Sequence, residues 1–190
     1  MLICHEKKIL FLEIPKTGST AIGSALNNLL GKENTLHIID RFDKKKYSNC
    51  YRHCTIREVY KEFPETKNYF TFCFVRNPWD IQVSQYFFNR DVLKYDLPSF
   101  DTWIQRNVLN QMKWIKNLDF FDFIGRFETL QGDFNFLCEK LNLSYYDLEH
   151  ANPSLHDHYT SYYNYSTMNL VQRICREEII NFEYEFENYL

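Results

Sequence analysis

What most constrains the fold of this chain is one grammar used three times: a short apolar run, a polar break, then apolar residues at helical spacing. In its first use, Ile9 to Ile14 is too short for a helix before Pro15, and it is bounded by charged residues and turn formers, so it reads as a buried strand. After the break Ile14-Pro15-Lys16-Thr17-Gly18-Ser19-Thr20, the residues Ile22, Ala25, Leu26, Leu29 and Leu30 recur on one helical face. Gly31 is placed to end that helix in a left-handed cap. In the second use, "YFTFCFV" from Tyr69 is a buried strand and "RNPWDIQVSQYFF" the loop and helix after it. Asn77 suits the N-cap, Pro78 the first helical position, and Asp80 the first turn, where negative charge meets the helix dipole. In the third, "FDFIGRF" is a strand, and Leu130, Phe134, Leu137, Cys138 and Leu141 share one face of the helix that follows. Strands alternating with helices predict a parallel α/β sheet whose ligands bind beyond the carboxyl ends of the strands.

Around these units, a helix is expected from about Phe100, capped by Ser99 after Pro98, with a helical or irregular stretch around Trp114. The segment "NPSLHDHYTSYYNY" from Asn152 to Tyr165 is polar and aromatic without periodicity and reads as a long loop. A last helix is expected over roughly Met168 to Phe182. No internal repeat or low-complexity segment is visible.

With 190 residues, 45% of them hydrophobic and 18% aromatic, but five Gly and five Pro, the chain is read as one globular domain with a core rich in Phe and Tyr. A formal charge of -3 provides no global attraction to nucleic acid or anionic lipid, so any anion site must be local, and neither partner is expected. Lys44-Lys45-Lys46 is read as a solvated loop. The six cysteines form no CxxC pair, and neither a signal peptide nor a membrane-length apolar run is seen, so the expectation is a cytoplasmic protein with reduced thiols. Cys73 and Cys138 sit in apolar patterns and read as core. Cys50, His53 and Cys54 lack a fourth ligand at zinc-site spacing, so no metal is expected.

A loop running from a strand into a helix aims several backbone N–H groups at one point, with the positive end of the helix dipole behind them. Gly18 permits close backbone approach, Ser19 and Thr20 add hydroxyl donors, and Lys16 supplies a mobile cation, so the first loop suits a phosphate or sulfate. It is not a Walker A loop, in which the lysine follows the second glycine; here Lys16 precedes the only glycine of the turn. An ordinary capped turn remains the alternative. The second strand ends in Arg76 rather than in a magnesium-binding carboxylate, which disfavours a nucleoside triphosphate with Mg²⁺. Ser84 lies eight residues beyond Arg76, about two helical turns on, so a guanidinium and a hydroxyl can serve one further anion.

At this point "IPKTGST" followed by "FVRNPWDIQVSQYFF" resembles the sulfotransferases that use 3′-phosphoadenosine-5′-phosphosulfate (PAPS), in particular the carbohydrate-type branch. The resemblance continues in order through "HCTIREV", "IGRFETLQGDF" and "HANPS" and spans most of the chain. It implies a single sulfotransferase domain over residues 1–190, with a three-layer P-loop-like fold and a central, mainly parallel sheet flanked by helices. It further implies that Lys16 and the backbone of Thr17, Gly18, Ser19 and Thr20 hold the 5′-phosphate and sulfuryl group, and that Arg76 and Ser84 hold the 3′-phosphate. Asn152 and Ser154 would close over the nucleotide and Arg126 would line the site; a capped turn and a surface arginine are the plainer readings of these three. Two departures stand out: Glu13 where many relatives have His, and Ser19 where many have a second Gly.

The implied reaction is transfer of a sulfuryl group from PAPS to a hydroxyl acceptor, a sugar or polysaccharide, releasing 3′,5′-bisphosphoadenosine (PAP). His53 in "HCTIREV" is the candidate base, Lys16 stabilises the leaving oxygen, and Glu13 is the reserve base. His5, His37, His150, His156 and His158 have less support, and tyrosines of the late loop, Trp103 and Trp114 are read as packing before sugar stacking. No metal is required, because Lys, Arg and helix dipoles supply the positive field. A P-loop-like small-molecule kinase and a non-catalytic nucleotide-binding module are the alternatives. The oligomeric state is not read from the sequence.

Overall fold

A computed structural model of the chain describes residues 1–38, 52–149 and 156–187. The chain divides into two compact units, the first formed by Met1–Val75 with Lys113–Ala151 and the second by Arg76–Met112 with Asn152–Leu190.

The first unit holds a five-stranded sheet: β1 (Leu2–Cys4), β2 (Ile9–Phe11), β3 (Thr35–His37), β4 (Phe70–Val75) and β5 (Phe123–Arg126), in the order β3-β1-β2-β4-β5. The three strands expected from the sequence, β2, β4 and β5, are parallel, with Phe11 opposite Phe72 and Val75 opposite Arg126. Their carboxyl ends therefore point the same way. β1 and β3 were not expected; β1 runs antiparallel to both β2 and β3 and extends the sheet on the β2 side. The β1–β2 turn is built from His5-Glu6-Lys7-Lys8, with Lys8 at φ 53, and so lacks the Asn-Gly or Asp-Gly signal that marks a hairpin.

Alternation across the strands puts Leu2, Cys4, Ile9, Phe11, Phe72 and Phe74 in one core with Ile22, Ala25, Leu26 and Leu30 of α1 (Ser19–Leu30). α2 (Ile56–Glu62) comes next in the unit, and Phe134, Leu137 and Cys138 of the later helix Leu130–Lys140 complete that core. Phe11 stacks on Phe72 with centroids 5.0 Å apart, and Phe74 meets Phe123 edge-on at 6.0 Å. Ile3, Leu10, Cys73 and Val75 point to the opposite face and are equally buried, which is why these strands read as unbroken apolar runs.

The second unit opens with α3 (Pro78–Phe87), whose cap is the expected one: the Asn77 side chain accepts from the N–H groups of Trp79 and Asp80 at 3.0 and 3.4 Å. It continues with α4 (Phe100–Ile104) after Ser99; Trp114 of the short helix α5 (Met112–Ile115) and the helix Leu130–Lys140, α6, belong to the first unit. The expected last helix is two, α7 (Tyr165–Ile174) and α8 (Arg176–Phe182), divided at Cys175, where the backbone turns to φ -97, ψ 20. Neither Gly nor Pro marks that break, so periodicity alone runs through it. Of the late loop, Tyr162 and Tyr163 pack on Phe87 and Phe100 at 5.0 and 5.1 Å, and both Trp103 and Trp114 are buried, so these aromatics serve as core.

Candidate functional site

The first loop begins where β2 ends. Leu12 keeps one more bond to the sheet, donating to the Phe72 carbonyl at 2.9 Å, and the Thr17 hydroxyl donates to the Ile14 carbonyl at 3.0 Å, folding the turn back on itself. Lys16 and Gly18 both take left-handed backbone conformations, at φ 66 and 77, before α1 starts. The first bond of the helix runs from the Ile22 N–H to the Gly18 carbonyl at 3.2 Å, which leaves the N–H groups of Ser19, Thr20 and Ala21 at its open end. Among the described residues no side-chain hydrogen bond caps that end, and its first turn carries no acidic residue to oppose the positive end of the dipole. A Cβ on Gly18 would lie 2.9 Å from Leu130 and 3.4 Å from Phe127, so the segment after β5 walls the loop. Helix-start N–H groups, hydroxyls and a lysine on one short loop suit an anion.

His53 is held beside this loop from three directions. Its Nδ1–H donates to the backbone carbonyl of Glu13 at 2.9 Å, because a carbonyl can only accept; the other nitrogen, Nε2, is thereby the proton-accepting one. The indole of Trp114 donates to the His53 carbonyl at 2.8 Å. Two residues on, Thr55 and Glu58 form a capping box that starts α2. Burial pushes the imidazole down to about 4, against the pull of the Glu13 carbonyl and carboxylate, so His53 is neutral at pH 7.

Glu13 does not serve as a reserve base. Its side chain is fully buried and lies 2.5 Å from His37 Nε2, 3.0 Å from Arg52 Nε and 3.5 Å from the Met1 amino group. Burial by itself would raise its carboxyl, but the amino group, His37 and Arg52 outweigh it and hold it at about 2. Glu13 is a buried anion held by these three partners. One of these, Arg52, also donates through Nη2 to the Thr20 hydroxyl at 2.7 Å, which fixes its guanidinium at the first turn of α1. The sequence did not point to Arg52 and gave His37 only as a less-supported base, since neither has a local pattern; the buried Glu13 after an apolar strand was the available signal.

In the second unit, Arg76 follows β4 directly in the chain and is buried, with Nε 2.7 Å from Asp80 Oδ2. Ser84, also buried, lies almost two turns along α3, which carries Asp80 in its first turn. Arg126 ends β5 in the first unit; it is half-buried, and its N–H donates to Asp133 at 2.6 Å. Asn152 and Ser154 lie outside the described residues, as do His150 and Cys50. The remaining histidines are occupied elsewhere: His5 pairs with the Tyr69 hydroxyl near the amino end of β2, His156 stacks on Phe87, and His158 pairs with Glu187. Among the described residues, no cluster of three or more His, Cys, Asp or Glu is arranged to hold a metal ion, and no helix is long and apolar enough to cross a membrane.

The model of the sulfotransferase family matches residues 1–186, and the chain belongs to that family. It is therefore an enzyme of the sulfotransferase class. Among solved structures, its fold is similar to that of mouse sulfotransferase SULT7A1, crystallised in complex with PAP. The TM-score is 0.61 at 13% identity, over 94% of this chain and 87% of that one, a likeness of fold. No curated protein sequence matches the chain.

Proposed function

We propose that this sulfotransferase moves the sulfuryl group of PAPS onto a hydroxyl of a sugar or polysaccharide by in-line displacement, with His53 as base. PAPS, when bound, supplies an activated sulfuryl group and a stable leaving bisphosphate. Lys16 and the N–H groups at the start of α1 hold the 5′-phosphate and take up the charge that develops on its leaving oxygen. The acceptor proton passes to His53 Nε2 as the new oxygen–sulfur bond forms and the sulfur–phosphate oxygen bond breaks. Arg52, fixed between Glu13 and Thr20, adds positive charge at the same helix end. Arg76 and Ser84 hold the 3′-phosphate, while Arg126, Asn152 and Ser154 contribute further contacts to the nucleotide. Residues 1–190 act as one sulfotransferase domain, in keeping with a family match that runs over residues 1–186. A cytoplasmic setting is supported by the cysteines: among the described residues none is in a disulfide, and all are buried.

The observation that carries this reading is the commitment of His53 Nδ1 to the Glu13 carbonyl, three residues before Lys16, which orients a neutral imidazole beside the anion loop. The test is a screen of radiolabelled PAPS against a panel of neutral and uronic-acid glycans. Transfer of label to a glycan hydroxyl, lost on His53→Ala, is the expected result. Transfer to phenolic or steroid hydroxyls alone contradicts the proposed acceptor class.

A further inference from the structure

Arg76 is the first residue beyond β4, where the peptide groups of a strand lose their ladder and need other partners. The side chain of Gln111 supplies both. Its Oε1 accepts from the Arg76 N–H at 2.9 Å and its Nε2 donates to the Arg76 carbonyl at 2.8 Å, as a neighbouring peptide would. The clamp is reciprocated two residues away: Gln82 of α3 accepts from the Leu109 N–H at 2.8 Å and donates to the Leu109 carbonyl at 2.9 Å. Gln82, Gln111 and Glu178 are all fully buried.

Glu178, from α8, sets the direction of the Gln111 amide. Its Oε2 accepts from Gln111 Nε2 at 2.5 Å and its Oε1 from the Gln111 backbone N–H at 3.4 Å. With both hydrogens of the amide engaged, flipping it would set its carbonyl against the Glu178 carboxylate and the Arg76 carbonyl. The Arg76 guanidinium is tethered in turn to Asp80. We propose that Gln111 and Glu178 are positioning residues that fix the Arg76 backbone, and thereby aim its guanidinium at the 3′-phosphate of the nucleotide. This rests on the assignment of Arg76 to that phosphate.

Burial pushes the Glu178 carboxyl up to about 7, against donors from Cys175 and Gln111 and with repulsion from Glu177. The titratable groups around it are Glu177 and the Cys175 thiol, which burial keeps neutral, on its own side, and the charged Arg76–Asp80 pair across Gln111. Its carboxylate accepts both Gln111 donors; the protonated acid turns one oxygen into a donor and loosens the clamp. The preference for a 3′-phosphorylated nucleotide should therefore weaken as pH falls through 7.

The experiment compares PAP with AMP, which lacks the 3′-phosphate, by calorimetry on the full chain at pH 8 and pH 6. In wild type at pH 8 PAP should bind far more tightly than AMP. Gln111→Ala and Glu178→Gln should cut the PAP-over-AMP preference by about tenfold and about fivefold, leaving AMP affinity within about twofold. Because the 3′-phosphate itself titrates near pH 6, the informative pH quantity is the difference between wild type and Glu178→Gln, whose preference should be the less pH-dependent. If Arg76→Ala leaves the preference intact, the Arg76 assignment fails, and the clamp proposal with it. If Arg76→Ala abolishes the preference while Gln111→Ala and Glu178→Gln retain it, or lose PAP and AMP equally, the clamp proposal alone is overturned. Should Gln111→Ala not fold, Glu178→Gln and its pH comparison decide the matter.

Discussion

A histidine whose Nδ1–H is given to a backbone carbonyl offers Nε2 as its proton acceptor, and the base role proposed for His53 requires that nitrogen to stay neutral. His53→Ala should leave PAP affinity nearly intact and cut turnover by on the order of 10² to 10⁴, measured by calorimetry and by label transfer. The same burial makes a stability prediction. His53 protonates near 6.5 when unfolded and at about 4 when folded, so the unfolded chain holds more protons in that window and stability falls as pH drops from 6.5 to 4. Urea melts should show that loss in wild type and less of it in His53→Ala. Glu13, held at about 2 against an ordinary 4.5, contributes stability that is present above 4.5 and lost as pH falls toward 2. Glu13→Gln leaves the Arg52 guanidinium without the buried anion that holds it and should destabilise the fold by about 3–5 kcal/mol. A Glu13→Gln variant of undiminished stability would remove the ion cluster from the account.

At the scale of elements, the first loop depends on a glycine that is tested from two sides. Gly18→Ala forces a left-handed alanine, costing about 1–2 kcal/mol, and drives its Cβ against Leu130. Urea midpoints should fall accordingly, and PAP should bind at least about tenfold more weakly because the N–H groups of the α1 start are displaced. The strands β2, β4 and β5 and the helices after them were legible because periodicity, caps and turn formers are local properties: Pro15 and Gly18 mark one boundary, Asn77-Pro78 another. β1 and β3 were not: β1 is three apolar residues closed by a turn of charged side chains, β3 is Thr35-Leu36-His37, neither carries a local signature, and their pairing is settled by the sheet as a whole. For the same reason the partners of Glu13 were invisible. His37 and Arg52 lie 24 and 39 residues from it in sequence, and only folding brings them to one carboxylate.

On the scale of the whole chain, a net charge of -3 must be overcome locally if an anionic nucleotide is to bind, and the positive groups of the loops, not the overall field, have to do so. The family was legible in the order of five short motifs along the sequence, and the match over residues 1–186 agrees with it. The acceptor was not, because acceptor recognition is a matter of surface shape grafted onto the fold. The central claim is tested most directly by titrating PAP, and separately ATP with Mg²⁺, into wild type and Lys16→Ala by calorimetry. The account predicts one PAP site with a Kd of about 10 μM or tighter, weakened at least about tenfold in Lys16→Ala, and negligible heat from ATP with Mg²⁺. Absence of PAP binding, or PAP binding indifferent to Lys16, would contradict it.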